Sequence, residues 1–123
     1  MNTGKNNIII EKSFKFAVRI IKLHQFLSKQ HKEFTISKQI LRSGTSIGAN
    51  IEEAHGGIST ADFSSKISIA YKESREVSYW LKLLFGSDYI SKRMYESLYS
   101  DCDELSRITY SILKTTRMKN NIK

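Results

Sequence analysis

A chain of 123 residues, 40% hydrophobic and 26% charged, has the composition of one globular domain that buries a core without disulfides. With no proline, six glycines and one cysteine, it does not fit a disulfide framework or a many-stranded sandwich, and long helices with short loops are favoured. No run approaches the roughly 20 apolar residues of a spanning helix, so we expect a cytoplasmic protein outside the membrane.

The net charge of +8 is distributed unevenly along the chain. Residues 1–42 hold nine Lys or Arg against two acids, residues 43–106 hold six against ten, and residues 107–123 hold five and no acid. The two ends are therefore basic, at +7 and +5, and the middle is acidic, at −4.

The first two predicted helices occupy the N-terminal half of the chain. Helix one covers residues 11–31 and carries two apolar series at helical spacing, which are Phe14, Ala17, Val18 and Ile21, and Phe16, Ile20, Leu23 and Leu27. Helix two covers residues 36–55, with Thr35 or Ser37 as its N-cap. The Gly56–Gly57 pair then suits a left-handed helix stop.

The other two predicted helices cover residues 60–85 and 91–118. Ser59 and Asp62 have the spacing of a capping box, and Ser91 is the expected N-cap of the last helix. Their apolar-phase series are Phe63, Ile67, Ala70, Ser74, Val77, Leu81 and Leu84, and Tyr95, Leu98, Cys102, Leu105, Ile108 and Ile112. Four helices with short connections predict a single all-α domain over the whole chain, an up-down-up-down antiparallel four-helix bundle.

Basic residues near both ends of the chain are the candidate nucleic-acid contacts. In an antiparallel bundle the start of helix one and the end of helix four lie at the same end, so the two basic segments form one region. We predict phosphate contacts to RNA or DNA, without base specificity, by Lys12, Lys15, Arg19, Lys22, Arg117 and Lys119. The alternative interpretation is a solvated face without a ligand.

Patterns for catalysis or metal binding are weak. Glu52 and His55 have the Glu-x-x-His spacing of di-iron bundles, but no second pair accompanies them. Cys102 falls in the apolar phase of its helix, as a small core residue would. Ser43 and Ser46 have no neighbouring histidine or phosphate-binding loop. We therefore predict no enzyme, no metal site and no cofactor.

The segment LRSGTSIGAN, residues 41–50, places two glycines inside a predicted helix. Gly44 and Gly48 are four apart and share one helix face. Each costs about 1 kcal/mol relative to alanine in a helix interior, so a close contact must offset that cost. The contact is either between helices of one bundle or between subunits.

The longer stretch LRSGTSIGANIEEA, residues 41–54, closely resembles the signature of bacterial four helix bundle proteins named 23S rRNA-intervening sequence proteins. The resemblance extends to FAVRIIKL (16–23), ADFSSKISIAYKESREVSYWLKLL (61–84) and SILKTT (111–116). It implies an antiparallel four-helix bundle without defined catalytic residues, and some members form ring-like homopentamers. A related group, the accessory variability determinant proteins of diversity-generating retroelements, forms basic pentamers that work with a reverse transcriptase and nucleic acid.

The motif and the charge pattern together give two functional expectations. Motif-matching residues expected at a helix-packing or oligomer interface are Arg42, Ser43, Gly44, Ser46, Gly48, Asn50 and Glu52. We expect a non-enzymatic, self-associating bundle, a homopentamer, that binds RNA or DNA through a basic surface. The alternative is a protein–protein scaffold whose basic face serves only solubility.

Overall fold

The computed structural model describes the backbone of residues 4–122 and the side chains of residues 8–117. Its helices are α1 (Gly4–His31), α2 (Thr35–His55), α3 (Thr60–Gly86) and α4 (Lys92–Ile122). Each helix packs on the next, and α1 closes the bundle against α4 along its sparsest seam. Pairs across each seam run in opposite directions, so the predicted antiparallel four-helix bundle is confirmed.

Helix α1 begins seven residues earlier than its apolar spacing predicted. Ile9 is fully buried and extends the core series backwards. Alternating steps of four and three residues then give one continuous buried stripe of Ile9, Ser13, Phe16, Ile20, Leu23 and Leu27. Burial of a large aliphatic side chain contributes about 1.5–3 kcal/mol. Burial of Ile9 therefore favours a helix that starts before the predicted residue 11, although the preceding residues include two asparagines.

Serine caps begin α3 and α4, as predicted. The backbone N–H of Asp62 donates to Ser59 Oγ at 3.0 Å, and that of Met94 donates to Ser91 Oγ at 3.1 Å. Each serine thereby satisfies an amide that has no partner within its helix.

The N-cap predicted for α2 is wrong. Neither Thr35 nor Ser37 caps the helix, because Phe34 holds the N-cap position and provides no side-chain acceptor. The carboxylate of Glu33 accepts instead from three amides of the first turn, those of Thr35, Ile36 and Ser37, at 3.1, 3.0 and 2.8 Å. An acidic group at a helix N-terminus also interacts favourably with the helix dipole.

The left-handed glycine stop predicted after α2 is also wrong. Gly56 has φ −95°, and the left-handed residues are Lys32 and Asp88, with φ 54° and 64°. Gly57 lies close to Asp62: a Cβ there would be 2.5 Å from Asp62 Oδ2, the mobile end of that side chain, and 3.1 Å from the Ala54 carbonyl oxygen.

Cys102 is a buried core residue, as predicted. Its thiol donates to the Ser74 carbonyl at 3.1 Å, and Ser74 Oγ hydrogen-bonds with Ser106 Oγ at 2.6 Å. Burial raises the pKa of the Cys102 thiol to about 12, so the group stays protonated at neutral pH. Small polar residues thus form the inner part of the α3/α4 seam, each with a partner.

Candidate functional site

The motif glycines pack against α1 of the same chain. A Cβ on Gly44 would lie 2.8 Å from both γ-carbons of Ile20, closer than real Cβ contacts. A Cβ on Gly48 would lie 3.4 Å from the Ser13 carbonyl oxygen, an ordinary contact distance. The buried Gly44 is therefore explained by helix packing inside one bundle, and it needs no subunit contact.

The other small polar residues of the motif hydrogen-bond within α2. Ser43 Oγ donates to the Gln39 carbonyl at 3.0 Å, and Ser46 Oγ donates to the Arg42 carbonyl at 2.7 Å. Asn50 Nδ2 donates to the Ser46 carbonyl at 2.8 Å. These bonds satisfy the side chains within the helix itself, so the side chains remain compact where α1 and α3 pack closely.

Arg42 joins α2 to α3. Its Nη1 lies 3.2 Å from Glu73 Oε2 and its Nη2 lies 2.6 Å from Glu76 Oε2. The indole N–H of Trp80 donates to the same Glu76 oxygen at 2.9 Å. The hydrogen bond to Glu76, followed by that to Glu73, raises the pKa of Arg42. Arg42 is thus a helix-packing residue of the predicted set.

Glu52 lies on a shallow groove between α1 and α2. The groove has a volume of about 230 Å³, and Glu52 is its one charged lining residue among the residues that the structure describes. The other lining residues are small or apolar, namely Ile10, Ser13, Phe14, Ala17, Thr45, Gly48 and Ala49. Gly48 therefore contributes to the surface of this groove as well as to packing.

An apolar stripe on α1 borders this groove and faces outward. Phe14, Val18 and Ile21 are 68%, 38% and 42% exposed, and their spacing of four and three residues places them on one helix face. They belong to the predicted apolar series that begins with Phe14, while the series that begins with Phe16 forms the core. We call these three residues the α1 stripe. Exposed apolar side chains grouped on one helix face make this stripe a candidate interaction site.

Three predicted phosphate contacts are already paired with carboxylates. Lys12 Nζ lies 3.3 Å from Glu104 Oε2, and Lys15 Nζ lies 3.0 Å from Glu11 Oε2. The pairing with Lys15 lowers the pKa of Glu11.

Arg19 is the most extensively bonded of the three. Its Nη1 lies 2.7 Å from Asp101 Oδ2, and its Nη2 donates to Ser97 Oγ at 2.9 Å. A phosphate would have to displace these partners in order to bind Arg19. At the α1/α4 seam, Lys12 and Arg19 thus form ion pairs between the two helices, although both were predicted to bind phosphate.

The remaining predicted contacts lie apart from one another. Lys22 and Arg117 are exposed, and neither makes an ion pair within residues 8–117. Arg117 is thirteen residues beyond Glu104, the partner of Lys12, which is about 20 Å along α4. The side chain of Lys119 lies outside the described residues. Lys12, Lys15 and Arg19 are therefore paired with carboxylates of α1 and α4, while Arg117 lies farther along α4 and does not join them in one cluster.

The predicted Glu-x-x-His pair does not form a cluster with other ligands. His55 Nδ1 hydrogen-bonds with the Ile51 carbonyl at 2.9 Å, and its ring packs edge-on against Phe63. Within residues 8–117 no three His, Cys, Asp or Glu side chains come together as metal ligands would.

The family of the chain follows from comparison with known proteins. The model of the family described as 23S rRNA-intervening sequence protein matches residues 5–111. The chain belongs to the 23S rRNA-intervening sequence protein family. Comparison with curated proteins gives no match.

A solved structure extends this family assignment. A protein of unknown function from the S23 ribosomal protein family of Bacteroides thetaiotaomicron VPI-5482 is 52% identical, with a TM-score of 0.88. The match covers 89% of this chain and 98% of that chain. The 23S rRNA-intervening sequence protein family thus shares the four-helix fold of this chain, and the function of the solved relative is unknown.

One surface of this family member was missed by sequence reasoning. Between α3 and α4, a depression of about 260 Å³ is lined by Tyr71, Arg75, Asp103, Ser106, Arg107 and Tyr110. The available signal was the basic, acid-free segment 107–123, in which Arg107, Tyr110, Lys114 and Arg117 recur at helical spacing. Of the predicted set, only Arg117 lies on this face within the described side chains.

No helix of residues 4–122 has both the length and the apolar character needed to cross a bilayer.

Proposed function

We propose that this protein is a non-enzymatic helical bundle that assembles into a homo-oligomer, a homopentamer, and binds RNA or DNA through its basic surface. The α1 stripe carries the proposal: three large apolar side chains, 68%, 38% and 42% exposed, on one face beside an apolar groove. Burial of this face against a second copy would remove apolar surface from water, which drives association.

Self-association strengthens the argument for nucleic-acid binding. A net charge of +8 per chain attracts polyanions, and each exposed cation contributes a weak contact that depends on salt. Among residues 8–117, cations such as Lys22, Lys114 and Arg117 make no ion pair, and each alone is a weak contact. A ring of several copies would present them repeatedly to one strand, and linked weak contacts gain affinity through effective concentration.

The serines and the cysteine that could act as nucleophiles have packing roles, which supports a non-enzymatic function. Ser43 and Ser46 donate to carbonyls of their own helix. Cys102 is buried, with its pKa raised to about 12, so it carries no nucleophilic thiolate at neutral pH. One unpaired cysteine also suits the cytoplasm, where thiols stay reduced.

Light scattering combined with a nucleic-acid titration tests this function. The expected result is a particle several times the chain mass of 14.2 kDa, and binding to mixed RNA and DNA that weakens steeply with salt. A monomer would contradict assembly. Absence of binding at about 50 mM salt, where phosphate contacts are strong, would contradict the nucleic-acid role.

A protein–protein scaffold is the second candidate. The ion pairs of Lys12, Lys15 and Arg19 favour this candidate. Three of the six residues predicted to contact phosphate are already paired with carboxylates. In that case the α1/α2 groove would accept an apolar segment of another protein. A pull-down dominated by one protein and unchanged by nuclease would favour the scaffold.

A further inference from the structure

The depression between α3 and α4 combines aromatic rings with arginines. Tyr71 and Tyr110 lie with ring centroids 5.7 Å apart and planes inclined by 45°. Tyr110 is 50% exposed, so about half of this residue is accessible to solvent. Arg75 and Arg107, both exposed, line the same depression.

The packing beneath this depression explains its position. Ser74 and Ser106 face each other at 2.6 Å between their hydroxyl oxygens, so the two helices approach closely at small residues. Tyr71 lies one turn before Ser74 on α3, and Tyr110 lies one turn after Ser106 on the antiparallel α4. Both tyrosines line the depression beside Ser106. The tyrosines are therefore fixed on rigid elements, which limits the conformational entropy lost on binding.

The charge of the depression is predominantly positive. Arg75 makes no ion pair within residues 8–117. Arg107 Nε lies 2.9 Å from Asp103 Oδ2, with 70% of the arginine side chain exposed. Exposed pairs of this kind are weak, so a phosphate can compete for Arg107.

Further cations extend the same face along α4. Arg107, Tyr110, Lys114 and Arg117 follow one another at steps of three, four and three residues, which places them on one helix face. Lys114 and Arg117 are exposed, and neither makes an ion pair within residues 8–117. From Arg107 to Arg117 the face spans about 15 Å. We call the set Tyr71, Arg75, Arg107, Tyr110, Lys114 and Arg117 the α3/α4 strip.

We propose that the α3/α4 strip binds single-stranded nucleic acid, with Tyr110 stacking on a base and the four cations contacting phosphates. Aromatic platforms interleaved with cations are the usual construction of single-strand sites. A base can stack on Tyr110 only when it is not already stacked inside a duplex, so single strands are preferred over duplexes. This inference rests on the proposed nucleic-acid role and places it on a different face from the ion-paired α1 cations.

Fluorescence anisotropy with the full chain tests the strip. The probes are labelled oligo(U) RNA, oligo(dT) DNA and a DNA duplex of equal length, at low salt. The proposal expects tighter binding to both single strands than to the duplex. Tyr110→Ala should weaken single-strand binding at least about fivefold, and Tyr110→Phe should retain it. A preference between the two single strands would distinguish RNA from DNA as the ligand.

Matched controls separate the strip from general charge. Tyr79→Ala removes an exposed tyrosine of α3 outside the strip, which packs on Trp80, and should leave affinity unchanged. Arg75→Ala should weaken binding and reduce the slope of log affinity against log salt by about one, whereas Lys82→Ala, on another part of α3, should not reduce the slope. Circular dichroism of each variant verifies the helical fold.

The outcomes distinguish the strip from the broader function. Binding that survives Tyr110→Ala and Arg75→Ala, or equal affinity for the duplex, would overturn the strip and leave the nucleic-acid role intact. Absence of binding to all three probes would overturn both.

Discussion

Gly44 of α2 lies so close to Ile20 of α1 that an added Cβ would be 2.8 Å from two of its carbons. Gly44→Ala should therefore destabilise the protein, since crowding of a packed core costs about 1–3 kcal/mol. The helix-propensity gain of about 1 kcal/mol offsets part of this. We expect a net loss of up to about 2 kcal/mol in urea unfolding followed by circular dichroism.

Gly48→Ala is the matched control for this substitution. Its Cβ would meet the Ser13 carbonyl oxygen at 3.4 Å, which the structure can accommodate. The propensity term then dominates, and stability should rise by up to about 1 kcal/mol. Both variants must be compared at one protein concentration, because self-association shifts apparent stability. Equal effects of the two substitutions would contradict the role assigned to Gly44.

The Arg42 contact with α3 gives the second prediction. Arg42→Ala removes ion pairs to Glu73 and Glu76, but the arginine side chain is 51% exposed, so solvent screening limits the loss to about 1 kcal/mol. Arg42→Lys should be intermediate, because an ammonium cannot reproduce the guanidinium geometry. Urea unfolding measures both variants.

The single tryptophan reports the same contact independently. Trp80 donates to the Glu76 oxygen that Arg42 also contacts, so Arg42→Ala should shift the native fluorescence emission. Arg93→Ala, a change at an exposed arginine of α4, should alter neither emission nor stability by more than about 0.5 kcal/mol. An unchanged emission in Arg42→Ala would show that the contact does not form in solution.

Cys102 gives a prediction about pH. Burial raises the thiol pKa from its ordinary 9.0 to about 12, so above pH 9 the unfolded chain loses a proton that the folded chain keeps. Stability then falls as pH rises between about 9 and 12, by up to about 1.4 kcal/mol per pH unit. Cys102→Ser lacks this titration, so the stability of wild type relative to Cys102→Ser should decline over that range. A difference independent of pH would contradict the burial of the thiol.

Helical spacing predicted the elements of this fold better than their ends. On α3 and α4, buried residues such as Val77 and Leu105 belong to the apolar series that the helical period predicted. The start of α1 at Gly4 was missed because Ile9 is separated from the strongest part of the pattern by charged residues. The start of α2 was missed because Glu33, outside the predicted helix, accepts from its first amides.

The candidate sites were harder to predict because they depend on which helix faces which. Summed charge placed Asp101 and Glu104 in an acidic middle segment, but antiparallel packing sets them opposite Arg19 and Lys12. Period alone also cannot tell which of two apolar series on α1 enters the core. The packing of the other helices decides that the series with Phe16 is buried and the series with Phe14 is exposed.

The α1 stripe gives the last prediction. Val18→Glu places a carboxylate in the centre of the exposed apolar face, and burial of that charge against a second copy would be strongly unfavourable. Because Val18 is already 38% exposed, the isolated bundle should tolerate the change. Light scattering of wild type should report an assembly, and Val18→Glu should shift it towards the 14.2 kDa chain. Phe34→Glu, at a residue 48% exposed in the α1–α2 connection, controls for added charge and should preserve the assembly. Loss of assembly in both variants, or in neither, would show that the α1 stripe is not the contact between copies.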